Sequence, residues 1–151
     1  MDKNVNLGQS LNEWRNTDAY KGQGDIHWFV WLVENPQSTL SFVGAADLYT
    51  HDCIHLILNK LGMDLNSEAY VIGFTMGNSA KVDMDRNWQY KLFLWIAWNI
   101  YPKGYRFDTH AKHSFVEGWD QGFKKPKRDI ARCRFTYSDD LNNLRTLWMI
   151  K

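Results

Sequence analysis

The sequence predicts an all-α fold, a single-domain helical bundle of five to seven helices. Apolar residues recur at helical spacing in several windows, and capping residues stand before them. No alternating strand pair or Asn-Gly hairpin turn appears among the 151 residues. That length suits one domain, residues 1–151, large enough to bury a proper core.

Taken in order, Ser10-Leu11-Asn12-Glu13 has the form of a capping box and predicts a short helix to about Tyr20, broken at Gly22 and Gly24. Ile26 to Val33 is apolar nearly all round. Asp25 as a cap and Glu34-Asn35-Pro36 as a stop make it a helix, with His27 a packed aromatic neighbour. A central helix follows within the stretch Ala45 to Glu68. Gly73 and Gly77, four apart, then let another helix approach closely or mark a break before Asn78-Ser79. Asp85 to Tyr101 carries Trp88, Leu92, Trp95 and Asn99 along one line and ends at Pro102 and Gly104. With Trp98, these tryptophans predict either a core face or the lining of an apolar, substrate-binding channel, core being preferred. His110 to Lys125 predicts a further helix with Phe115, Val116, Trp119 and Phe123 inward and His110 and His113 at an exposed start. Ile130 to Tyr137 reads as an extended connector. Ser138-Asp139-Asp140 caps a terminal helix whose inner face is Leu141, Leu144, Leu147 and Trp148.

The central helix holds the chemistry. His51 and His55 are four apart and lie one turn above the other on one helix face. Asp52 falls about 100° round from His51, and Asp47 lies one turn earlier at the edge of the same sector. Lys60 is the sole Lys, Arg or Glu between Ala45 and Leu61, so this is not an ordinary solvated face. Ala46, Cys53, Ile54, Ile57, Leu58 and Leu61 form the apolar stripe beside it. Imidazole and carboxylate are the ligands that zinc, iron and manganese accept. Three groups leave a divalent ion short of a full shell. Glu68, beyond a turn suggested by Gly62, Asp64 and Asn66, is the candidate for the fourth. The plainer alternative is a polar helix edge in which His51 and His55 are simply hydrogen-bonded.

Charge is unevenly spread. Residues 1–80 hold four Lys or Arg against nine Asp or Glu, and residues 81–151 hold fourteen against eight. The acidic half contains the metal-shaped stretch. The basic half, above all Lys124, Lys125, Lys127, Arg128, Arg132 and Arg134, suits solvent or an anionic membrane surface. Near-neutral net charge and the absence of a recognition motif argue against nucleic acid. No phosphate-binding glycine fingerprint follows a strand. Two cysteines without a CxxC spacing fit a reducing cytoplasm, and the polar N-terminus shows no signal-peptide core.

His51-Asp52-x-x-His55 followed by Glu68 resembles the HDxxH...E signature of the fourth coenzyme Q (ubiquinone) biosynthesis protein family. Leu32-Val33-Glu34-Asn35-Pro36 with Thr39 and Phe42, Gly118-Trp119-x-x-Gly122, and Leu141-x-x-Leu144-Arg145-x-Leu147 resemble further stretches of it. The resemblance implies an all-helical fold and a divalent metal held by His51, Asp52, His55 and Glu68, with zinc favoured and iron or magnesium as alternatives. It implies removal of the ring carboxyl of a polyprenylated hydroxybenzoate, with a hydroxyl taking its place. It also implies an apolar prenylated ligand and association with pathway enzymes, or as a homodimer, at a membrane surface. In this reading Trp88, Trp95 and Trp98 supply an apolar substrate cavity, and Tyr49 and Tyr70 stand near as proton donors. Two rivals are a non-catalytic isoprenoid-binding scaffold and an HD-type phosphohydrolase. The latter needs further His and Asp ligands on other helices, where only His27, His110 and His113 remain to serve and none has a His-Asp neighbour.

Overall fold

The structure, a computed structural model, describes residues 5–21, 42, 44–62 and 64–151. Among these it is helical, with no strand and one isolated bridge between Asn6 and Asp140. The expected helix at Ile26 to Val33, with His27 and the stretch from Leu32 to Thr39, lies outside the described residues.

The first helix, α1, spans Leu7–Arg15, and α2 spans Asp18–Lys21. Ser10 and Glu13 are not the capping pair the sequence suggests. Asn6 is the N-cap, its side chain accepting from Gln9 N at 3.1 Å, one turn earlier than expected. The reason is a tether: Leu7 N donates to Asp139 O and Leu141 N to Val5 O, so the start of α1 is fixed by the far end of the chain.

Helix α3, Leu48–Ile57, begins at Asp47, which accepts from Thr50 N at 2.8 Å; Asp47 is therefore a cap, and Ala46 lies outside the helix. Cys53, Ile54 and Ile57 are fully buried as the apolar stripe predicts, whereas Leu61 is exposed beyond the helix end. That end is a Schellman motif. Asn59 takes the left-handed conformation (φ 54°), Lys60 N donates to His55 O, and Asn59 N donates to Leu56 O. Arg145 reaches across to the last two helical carbonyls, donating to Ile57 O at 3.3 Å and as a second donor to Leu56 O at 2.8 Å.

Helix α4, Leu65–Ser79, lies between two apolar clusters. Val71 and Phe74 join the cluster formed with α1, α3 and the C-terminus, and Ala69 and Met76 join Phe93, Phe107, Phe115 and Trp119. Helix α5 is Trp88–Asn99, α6 is Thr109–Lys124 and α7 is Leu141–Leu147, capped by Asn87, Asp108 and Asp140. The close approach expected at Gly73 and Gly77 is present and reciprocal. A Cβ at Gly73 or Gly77 would stand 2.2 or 2.1 Å from the carbonyl oxygens of Phe115 and Trp119. On α6, a Cβ at Gly118 or Gly122 would stand 2.2 or 2.1 Å from those of Tyr70 and Phe74. The two backbones touch, and only glycine fits between them.

The core assignment of α5 is corrected. Its inward face is Phe93 and Ala97, while Trp88, Trp95 and Trp98 stand 67%, 55% and 41% exposed. The helix is apolar all round, and the clusters around Phe115 and Trp119 are already filled by Phe93, Tyr101 and Phe107, leaving the tryptophan side outward. The expected C-terminal inner face is buried at Leu141, Leu144 and Trp148, but Leu147 is exposed.

Candidate metal centre

His51 and His55 project from successive turns of α3, and Glu68 from the first turn of α4. The Schellman turn reverses the chain so that the three side chains meet. His51 Nε2 lies 2.9 Å from Glu68 Oε2, His55 Nε2 lies 3.1 Å from Glu68 Oε1, and the two Nε2 atoms are 3.1 Å apart. All three residues offer ligand atoms within 4.8 Å of one another. His55 is fully buried, while His51 and Glu68 are about one-fifth exposed (21% and 19%), so the cluster opens to solvent on one side.

The ring of His55 is fixed from behind. Its Nδ1 is 2.6 Å from Lys60 O, and since a carbonyl only accepts, Nδ1 carries the proton. In the neutral ring the Nε2 lone pair then points into the cluster. Trp14 packs on this ring, with centroids 5.2 Å apart, and donates from Nε1 to Leu61 O at 3.0 Å. The left-handed Asn59 thus stops the helix and also swings the Lys60 carbonyl onto the His55 ring.

This arrangement fits a cation. Glu68 Oε1 is buried and accepts no aligned hydrogen bond, although His55 Nε2 is 3.1 Å away. With the proton on Nδ1, that nitrogen turns a lone pair toward the carboxylate, which repels unless a cation or proton stands between them. Ligands about 2.0–2.1 Å from a tetrahedral zinc lie about 3.3 Å from each other, so the observed separations need open by only a few tenths of an ångström. Burial alone would raise the Glu68 carboxyl, but positive charge on the facing imidazoles, His51 first, outweighs it and holds that carboxyl well below the usual carboxylate range, the same demand for a cation at this point.

Asp52 is not part of the cluster. It turns away and is buried under α1 and α2, where its Oδ2 accepts from Arg15 Nη2 at 2.9 Å, Arg15 Nε at 3.2 Å and Tyr20 OH at 2.8 Å. The physical reason is the ~100° step between neighbours on a helix, which carries Asp52 off the His51–His55 line. Burial, with the Asp52 carboxylate beside it, pushes the Tyr20 phenol up. Trp14, Arg15 and Tyr20 are the site residues that sequence reasoning missed. No local pattern marks them, because they act on partners more than thirty residues away.

Tyr49 donates to Phe135 O at 2.9 Å, and burial pushes its phenol up to about 12. Tyr70 lies under Lys60 Nζ, 4.4 Å from the ring centroid. His110 and His113 are exposed at the start of α6 and do not join the cluster. Trp88, Trp95 and Trp98 form an outward surface of α5. Comparison with family models, curated proteins and solved structures finds no match to this chain.

Proposed function

We propose that the protein binds one divalent metal ion, zinc favoured, through His51 Nε2, His55 Nε2 and the Glu68 carboxylate, and uses it on an aromatic carboxylate substrate. The observation that carries the reading is the convergence of those three side chains around a buried carboxylate oxygen with no aligned donor. Three protein ligands with one open side are the pattern of a catalytic rather than a closed structural zinc site. When bound, the ion would act as a Lewis acid toward a substrate carboxylate or phenolate. The chain's own part is to orient: Lys60 O and Trp14 hold the His55 ring, and Arg15 and Tyr20 hold Asp52 and so the flank of α3.

The substrate class comes from the HDxxH...E resemblance: a polyprenylated hydroxybenzoate losing its ring carboxyl. Replacing that carboxyl with a hydroxyl consumes an oxidant, so the assay must supply dioxygen. The direct test is metal analysis of purified protein with His51→Ala and Glu68→Ala alongside. One zinc per chain is expected, with at least about tenfold weaker retention in each variant. Equal metal content in wild type and both variants overturns the site. A loaded site without turnover of the hydroxybenzoate rejects the substrate and keeps the metal.

A further inference from the structure

We infer that the outward band of α5 is a docking surface for an anionic lipid bilayer, independently of what the metal centre does. On a helix with ~100° between residues, Trp88, Leu92, Trp95 and Trp98 fall in one sector opposite the buried Phe93 and Ala97, and Lys91 falls among them. These four apolar side chains are 67%, 41%, 55% and 41% exposed, whereas Trp14, Trp119 and Trp148 are at most 4% exposed. Among the described residues the other three tryptophans are buried, and these three are presented outward. Contiguous exposed aromatic surface of this kind is unfavourable in water, and the indole ring, with an apolar body and one N–H, partitions to the bilayer interface.

Charge selects the occupant. Residues 88–107 contain Lys91, Lys103 and Arg106 and no Asp or Glu. Lys112 Nζ stands 5.6 Å from the Trp98 ring centroid, adding a cation at the edge of the band. A symmetric pairing of two copies through this band would set the cations of one against those of the other, whereas phosphate headgroups complement them. The helix would lie along the surface, since no helix among the described residues is long and apolar enough to cross a membrane. In the other basic stretch Lys125 Nζ, Lys127 Nζ and Arg128 Nε each donate to one carbonyl, of Met149, Gly77 and Leu147, as Arg106 Nε does to Tyr101 O.

The test is co-sedimentation with phosphatidylcholine vesicles made with and without phosphatidylglycerol. Wild type should bind the anionic vesicles, with a blue shift of tryptophan emission, and release as salt is raised. Trp88→Ala/Trp95→Ala should bind at least ~10-fold more weakly while keeping wild-type helicity and metal content. Lys91→Gln should bind about fivefold more weakly, the effect of one interfacial cation. Brominated lipid in the same vesicles, a readout that needs no variant, should quench part of the wild-type emission. Failure of wild type to bind, absence of quenching, or undiminished binding by the double tryptophan variant overturns the inference. So does a wild-type dimer that ignores vesicles and that the tryptophan variant splits, which would assign the band to a second copy.

Discussion

Gly118→Ala separates two effects of opposite sign. Alanine is favoured over glycine in a helix interior by about 1 kcal/mol, so propensity alone predicts a more stable protein. The structure predicts the reverse, because the new Cβ would stand 2.2 Å from Tyr70 O and 3.1 Å from Phe74 N. Neither atom is a side-chain end that can swing aside. Restoring ordinary contact moves α6 off α4 by about 1 Å, and a gap of that size forfeits a quarter to a half of each dispersion well it opens. Phe74, Phe115 and Trp119 are fully buried along this crossing. If roughly half of the 40–60 contacts of each, at 0.1–0.2 kcal/mol, cross the gap, the loss is about 2–9 kcal/mol. Less the helix-propensity gain, the net destabilisation is about 1–8 kcal/mol, and repacking around the opened crossing brings it to the low end, about 1–3 kcal/mol, the usual range for overpacking. For a chain of this size that lowers Tm by roughly 3–10 °C. Circular dichroism at 222 nm, with urea and with heat, reads it. Gly73 meets the same layer from the other side, against Phe115 O and Trp119 N. One opening relieves both, so Gly73→Ala/Gly118→Ala should cost less than the sum of the single changes. A Gly118→Ala protein as stable as wild type, or more so, refutes a backbone-to-backbone crossing here.

Three further outcomes follow from the same geometry. Asp52→Asn should leave zinc stoichiometry unchanged, because Asp52 serves Arg15 and Tyr20 rather than the ion, while lowering stability by about 1–3 kcal/mol; metal analysis and urea unfolding read the two effects, and loss of zinc would return Asp52 to the ligand set. Asn78→Leu should cost roughly 3–5 kcal/mol by urea unfolding, since its side chain donates to Gly122 O and Pro126 O and accepts from Ile130 N and Trp148 Nε1, all four at 3.0–3.1 Å; a loss below that of an ordinary surface change would contradict the network. Burial raises the Cys53 thiol from 9.0 to about 11 and the Tyr49 phenol from 10.0 to about 12, so the fold favours their neutral forms. That stability is intact below pH 9 and is lost as pH rises through about 11 and 12; a urea midpoint flat from pH 8 to 11 is the contrary result.

What could be read from the sequence was whatever depends on neighbours along one helix. The i, i+4 pair of His51 and His55 needed only the helical period. The small-residue spacing at Gly73 and Gly77 announced a close crossing. Glu68 was reachable because Gly62 and Asp64 mark a turn, and the twelve residues between His55 and Glu68 prove enough for a Schellman stop and one new helical turn. Asp52 went astray because a ~100° step from His51 lets a side chain face either the cluster or the neighbouring helix, and its partners in α1 and α2 are set by tertiary packing alone. The tryptophans of α5 went astray for a related reason. Apolar residues at helical spacing define a face, but on a helix apolar all round they do not say which face meets the core.

Helix α4 links these features mechanically. Its first turn presents Glu68, and from Tyr70, two residues later, it is locked to α6 by contacts between backbones, with Asn78 pinning its end. Facing it, α3 is stopped by Asn59 and held at its last carbonyls by Arg145. Neither helix can slide without breaking a backbone contact or exposing an orphan carbonyl, so the carboxylate and the two imidazoles are held in register by packing rather than by one another. A site built this way keeps its geometry with or without the proposed ion. Stripping metal from a loaded protein should therefore lower Tm only by the linked binding energy and leave helicity intact. A protein that unfolds outright on chelation would instead show that the ion, and not the glycine crossing, sets the distance between α3 and α4.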